Sequence, residues 1–331
     1  MKIHTLLAAL VILLSSCSKN DNYKIGFLYS SEVTKRFVIE GNYFKERATE
    51  LGAEVQIDNG NGNEALQYDK AIEMFDSGID ALVLIAINAN SAAAIVREGQ
   101  SRGVKVIAYN RIIFNCEPDL FISGDTKQLG QLMVNEVLKK RKEGKVIILG
   151  GDKYDRNAIG LMNSIDEEIK PYVESGAFKI LYKTYIEEWS DKNTEYEMRQ
   201  FMSLRHEKPD IVFSGFDGMS DAVIKILEEN NMLDGVLITG QDAEITGIKN
   251  IVAGKQLMTA YHPLKKNAYT AAEQTIQMLE GKKIDEELLS LTNNGTADIP
   301  TIKIPSIPIT KDNIDKELIK TGVYTKQEVY N

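Results

Sequence analysis

The sequence predicts an α/β fold made of two doubly wound parallel-sheet lobes. Three observations carry this: short β-branched runs alternate with amphipathic stretches, glycines close those stretches ahead of the next run, and the second half repeats the order of the first. At ~100–200 residues per domain, 331 residues suffice for two cores. Hydrophobic residues at 43%, charged residues at 26% and only 7 prolines are ordinary for a globular chain and exclude long disordered segments. The formal charge of −9 gives no basic excess to neutralise a phosphate backbone, so nucleic acid is not an expected partner.

Strand-like runs in the first half lie at Lys24–Tyr29, Glu54–Ile57, Ala81–Ile87, Val104–Tyr109 and Leu120–Ser123. Between them Phe37–Leu51, Glu64–Ser77 and Ser91–Arg102 carry apolar residues at helical spacing, as in Ala71, Met74 and Phe75. The second half offers strands at Lys145–Leu149, Phe178–Thr184, Asp210–Ser214, Val236–Thr239 and Leu257–Tyr261. Its helices are expected near Gln128–Arg141, Asn157–Tyr172, Thr194–Leu204 and Met219–Asn230. Gly52, Gly78, Gly103, Gly144 and Gly176 stand where left-handed caps end helices.

Ahead of the first strand, Met1-Lys2, the apolar run Leu6–Leu14 and the small pair Ser15-Ser16 follow signal-peptide order. The run is far shorter than the ~20 apolar residues of a membrane span. Leu14-Ser15-Ser16-Cys17 resembles the lipobox of bacterial lipoproteins, which implies acylation of Cys17, removal of residues 1–16 and a short polar tether at 17–23. The other cysteine, Cys116, is then expected as a lone thiol.

In open α/β sheets ligands bind beyond the carboxyl ends of the strands. The residues there include Arg36-Phe37, Asn110-Arg111, Asn157, Trp189, Phe216-Asp217, Asp242 and His262. Carboxylates, amides and guanidinium groups pair with vicinal hydroxyls, and an aromatic face covers the C–H face of a pyranose, so the set suits a sugar. No cofactor is expected, and no metal: the three histidines are far apart, and Asp58-Asn59-Gly60-Asn61-Gly62 places glycines where a calcium loop needs oxygen ligands. Gly150-Gly151-Asp152 lacks the Gly-Lys-Ser/Thr of a phosphate loop, and neither a Gly-x-Ser-x-Gly elbow nor a glycosidase carboxylate pair is present, so no enzyme activity is expected.

At the level of motifs the chain resembles the periplasmic sugar-binding proteins of the ribose, galactose and xylose type, most closely the D-xylose-binding proteins. The resemblance rests on Asn61-Gly62-Asn63-Glu64, on Val104-Lys105-Val106-Ile107-Ala108-Tyr109-Asn110-Arg111, on Gly150-Gly151, on Thr239-Gly240-Gln241-Asp242-Ala243-Glu244 and on Thr292-Asn293-Asn294-Gly295. It implies a type I Venus-flytrap protein, its lobes joined by a three-crossover hinge and closing on a monosaccharide. One lobe is expected to take residues 24–124 plus 261–294, the other 125–260 plus 295–331.

By resemblance Arg36 is a hydroxyl ligand, Phe37 and Trp189 are the stacking aromatics, Asn157 is the second-lobe amide and Asp242 a ligand carboxylate. Asn110 stands where the xylose pattern has Asp, Phe216-Asp217 follows an inserted residue, and His262 replaces a Lys, which leaves the sugar open between xylose and related aldoses. The resemblance further implies a monomer in the bacterial periplasm, lipid-anchored through Cys17, that delivers sugar to the membrane permease of an ABC transporter. The alternative partner is a membrane histidine kinase or chemoreceptor. A repressor of the LacI type shares the two-lobed fold but needs a helix-turn-helix head where this chain carries a signal and lipobox.

Overall fold

The computed structural model describes residues 22–32, 35–284 and 286–331. Cys17 and the signal segment lie outside them. In the first half the elements are β1 (Lys24–Tyr29), α1 (Lys35–Glu50), β2 (Glu54–Asn59), α2 (Glu64–Asp76), β3 (Ala81–Leu84), α3 (Ala93–Ser101), β4 (Lys105–Tyr109) and β5 (Leu120–Gly124). Next come α4 (Thr126–Leu138), β6 (Gly144–Gly150), α5 (Arg156–Glu174), β7 (Phe178–Tyr185), α6 (Asp191–Arg205), β8 (Ile211–Ser214), α7 (Asp217–Glu229), β9 (Leu237–Gln241), α8 (Ile245–Val252) and β10 (Met258–Tyr261). The chain finishes with α9 (Leu264–Leu279), β11 (Leu289–Asn293), β12 (Asp298–Ile304), β13 (Ile307–Ile309) and α10 (Lys326–Tyr330).

Two sheets result, ordered β11-β12-β5-β4-β3-β1-β2 and β13-β10-β9-β8-β6-β7. Within each, the run β2-β1-β3-β4-β5 or β7-β6-β8-β9-β10 is parallel and doubly wound, and only β11 and β13 pair antiparallel.

Both faces of each sheet are covered, which is why the strands read as nearly continuous apolar runs. Side chains alternate across the pleat: Ile25, Phe27, Ala81 and Val83 pack with Phe44 of α1 and Ala268, Ala271 and Ala272 of α9. Leu28, Leu82 and Leu84 point the other way, onto Met74 and Phe75 of α2 and Ile95 of α3. In the second lobe Val146 and Ile148 face α4 and α5, while Ile147 and Leu149 face α6 and α7. Phe44, fully buried against Phe27 at 5.1 Å between ring centroids, would cost ~3–5 kcal/mol if cut to Ala.

One boundary differs from expectation. The last crossover was placed at 294/295, yet β12 pairs in parallel with β5, Thr301 opposite Phe121, so the chain stays in the first sheet until Ile304. Asn294-Gly295 is the turn of the β11–β12 hairpin, with Gly295 at φ 84. A strong turn signal thus marks a hairpin inside one lobe, not a passage between lobes.

The three crossovers are stitched together. Ser306 Oγ lies 2.9 Å from His262 Nδ1, Gln128 Nε2 donates to the Ser306 carbonyl and Ser306 N–H donates back to Gln128 Oε1. His262 lies against Gly124, the last residue of β5.

Candidate functional site

Residues just past the carboxyl ends of β3 and β4 and of β6 and β7 line one cavity of about 320 Å³. Ile87, Ala89, Arg111 and Ile112 come from the first lobe; Asp152, Tyr154, Asn157, Glu188 and Trp189 are among those from the second. Arg111 Nη1 donates to the carbonyls of Ala86 at 3.1 Å and Ile87 at 3.4 Å, which fixes the guanidinium at the wall. Asn157 sits in the first turn of α5 because Asp155 caps that helix, accepting from Asn157 N–H at 2.8 Å. Its side-chain amide crosses the cleft to the Asn110 carbonyl in a long hydrogen bond of 3.5 Å. Asn110 therefore contributes through its backbone, held at φ 63.

Trp189 ends a single 3₁₀ turn, Glu187–Trp189, in which Glu188 and Trp189 both lie in the left-handed region at φ 58 and 55. For bulky side chains that conformation costs ~1–3 kcal/mol each, and such strain gathers at ligand clamps. Asp152 holds the turn by accepting from Glu188 N–H at 2.8 Å.

A second cluster, none of whose residues lines the cavity, lies at the hinge. Arg36, in the first turn of α1, donates to Asp242 Oδ1 at 3.0 Å, joining the first lobe to the loop after β9. It also pairs at 3.4 Å with the fully buried Glu40, one helical turn on, and Tyr109 donates its hydroxyl to the same Glu40 oxygen at 3.1 Å. Burial raises the Glu40 carboxyl, opposed by Arg36 and the Tyr109 hydroxyl. His262 Nε2 lies 3.5 Å from Asp242 Oδ1, and burial together with Arg36 pushes the imidazole down to about 4 despite Asp242. Arg36 Nε, His262 Nε2 and, next to Asp242, Gln241 Oε1 are buried without a hydrogen-bond partner.

Phe37 lies between the two groups. It is 3% exposed, with the Arg36 and Arg111 guanidiniums 5.8 and 5.9 Å from its ring centre. Its ring packs in the first-lobe core and does not line the cavity.

Phe216 and Asp217, expected in the cleft, lie elsewhere. Phe216 packs against the second-lobe core. Asp217 is 0% exposed and accepts from Gln256 Nε2, Thr259 Oγ1 and Glu244 N–H at 2.8–2.9 Å. Burial holds its carboxyl well above the usual carboxylate range against those three donors. A methyl group on Gly240 or Gly247 would stand 2.0 or 2.4 Å from it, so glycine at both places makes its room. The physical reason is position: as the first residue of α7 its side chain turns inward beneath β9, β10 and α8 rather than out into the cleft.

Sequence reasoning passed over Glu40, Tyr109, Asp152 and Tyr154. The signal for Glu40 is its place four residues after Arg36; Tyr109 stands in the Val104–Arg111 motif, and Asp152 and Tyr154 follow Gly150-Gly151 just past a strand.

The model of the periplasmic binding protein domain matches residues 25–283. The D-xylose-binding periplasmic protein of Escherichia coli (strain K12) is 31% identical over 334 residues, covering 99% of this chain and 100% of the relative. Its namesake in Haemophilus influenzae is 29% identical, covering 99% and 98%. A solved carbohydrate transporter solute binding protein from Chloroflexus aurantiacus, in complex with D-glucose, shares the fold at a TM-score of 0.83, with 20% identity over 93% of this chain and 98% of that one. With most of its length matched by that domain model and a relative aligned along nearly the whole chain, this protein belongs to the periplasmic binding protein family, a family of solute binders rather than enzymes.

Proposed function

We propose that this chain is an extracytoplasmic receptor for a free monosaccharide, xylose or a related aldose, that closes on the sugar and presents it to the permease of an ABC transporter. The observation that carries the reading is the inter-lobe cavity lined by Trp189, Arg111 and Asn157 together. An indole supplies a flat apolar face, and a guanidinium and an amide supply paired hydrogen bonds for hydroxyls. About 320 Å³ is at the small end of the usual ~300–1,000 Å³ of ligand sites, which suits one sugar ring rather than an oligosaccharide. The unpartnered atoms around Arg36 and Asp242 add hydrogen-bonding capacity at the hinge. The names of the two curated relatives, both D-xylose-binding, support the sugar class.

Contacts from both lobes make the closed form the tighter binder, so sugar shifts the population toward closure. Calorimetric titration against pentoses and hexoses tests the reading: micromolar or tighter binding of one aldose is expected, and no micromolar binder in the panel would sink it. The same reading places the protein in the periplasm, tethered through acylated Cys17. Cys17→Ser should move it from the membrane to the soluble fraction; continued membrane attachment would reject the anchor.

A further inference from the structure

We propose that Gly151 and Asp152 are positioning residues that lay the Trp189 indole flat as the floor of the cleft, and that this floor selects ring-closed sugars over open-chain alditols. The inference rests on the sugar-receptor reading. A methyl group on Gly151 would stand 2.1, 2.2 and 2.2 Å from Cε2, Cδ2 and Cζ2 of Trp189. Nearly equal distances to three ring carbons mean that the glycine lies under the face of the indole, not against its edge. Gly215 extends the seat, its would-be methyl 3.2 Å from Cζ3. The indole therefore rests on bare backbone at the ends of β6 and β8 while Trp189 lines the cavity.

The two neighbours of this seat have separate tasks. Gly150 makes room for Met162, 2.6 Å from where its methyl would be. Asp152 grips the left-handed turn, with Oδ2 accepting from Glu188 N–H and Oδ1 from Tyr154 N–H, each at 2.8 Å. Ile186 N–H donates to the carbonyls of Gly150 and Gly151, so this glycine pair is tied to the turn that carries the indole. A floor held at one height covers the contiguous C–H face of a pyranose. An alditol presents no fixed face and must freeze several rotors to imitate one.

The test is calorimetric titration of the wild type, Gly151→Ala, Asp152→Asn, Trp189→Ala and the Gly151→Ala/Trp189→Ala double variant. The probes are D-xylose with xylitol and D-glucose with D-glucitol. Trp189 is the only tryptophan, so its emission reports its own position. The wild type should prefer the ring sugar. Gly151→Ala should weaken that sugar at least tenfold, leave the alditol within threefold and shift the emission. In the Trp189→Ala background the same change should cost less than twofold, because the clash partner is gone. If Gly151→Ala fails to fold, Asp152→Asn must show the same selective loss. Unchanged ring-sugar affinity and emission in the variants, an undiminished cost in the Trp189→Ala background, or a wild-type preference for the alditol would overturn the inference while leaving the receptor reading intact. Wild-type protein that binds no sugar in a full aldose panel overturns that reading as well.

Discussion

The two ends of the cleft are built on opposite principles. At the cavity end Trp189, Arg111 and Asn157 line open space, Arg111 and Asn157 steadied by backbone carbonyls and the Trp189 turn by the Asp152 carboxylate. At the hinge end Arg36, Asp242, Glu40 and Tyr109 are bound to one another, and His262 fastens the crossovers. The cavity end fixes its polar groups on backbone carbonyls, whereas the hinge end joins the lobes through paired charges and keeps Arg36 Nε, His262 Nε2 and Gln241 Oε1 unpartnered. Asp217 sharpens the contrast, because it carries the right chemistry for a ligand and is consumed entirely by structure.

The largest effect should come from that residue. Asp217→Ala would take an acceptor from Gln256 Nε2, Thr259 Oγ1 and the Glu244 N–H and leave a void beside two glycines. Losing such buried partners costs ~3–5 kcal/mol, measurable by urea unfolding. Sugar affinity under conditions where the variant is folded should stay within threefold of wild type. A large affinity loss with unchanged stability would return Asp217 to the binding residues.

That outcome bears on what the sequence could reveal. The doubly wound lobes were legible because buried parallel strands and their helices write both periodicities plainly, and Trp189, Arg111 and Asn157 were legible as polar or aromatic residues just past strands. Asp217 was misplaced by the same rule: a residue opening a helix after a strand can point out to the cleft or in beneath the next strands, and spacing alone does not distinguish the two. Gly240 and Gly247, which make its pocket, stand 23 and 30 residues further along the chain, and nothing in the motif around Gly240 links it to Asp217. Phe37 reads as an aromatic near a strand end, yet the packing of α1 against α9 turns its ring into the core. Asn294-Gly295 reads as a family motif at a lobe boundary, but the motif does not say which sheet the next strand joins.

The hinge end yields the next effect. The His262 imidazole is held down to about 4 in the fold, against an ordinary value near 6.5. Its neutral form is therefore stabilising: the contribution is complete above about pH 6.5 and is lost as pH falls toward 4. A difference of this size is worth at most ~3 kcal/mol. Glu40 and Asp217, with raised carboxyls, carry slopes of the opposite sign, so the quantity to measure is the difference between wild type and His262→Gln. In urea unfolding the wild type should lose more stability than the variant between pH 6.5 and 4. Parallel curves would mean that His262 titrates normally and that the hinge does not exclude water from it.

The smallest effect returns to the mouth of the cleft, where the lobes touch without the hinge. Arg156, the first residue of α5, places its guanidinium 5.0 Å from the ring centre of Phe114, in the first-lobe loop between β4 and β5. Exposed cation–π pairs are worth ~0.5–1 kcal/mol, and this one forms only when the lobes are together. Its energy enters the open–closed balance and so reaches sugar affinity without lending the sugar a bond through Phe114. Phe114→Ala, which spares Arg156 on the cavity wall, should weaken the sugar about two- to fivefold with little change in unfolding midpoint. Small-angle scattering of the sugar-free variant should show a larger radius of gyration than wild type. An unchanged dissociation constant and radius would mean that closure draws nothing from this part of the rim, leaving, among the described residues, the Arg36–Asp242 pair and the Asn157–Asn110 bond to join the lobes around the ligand.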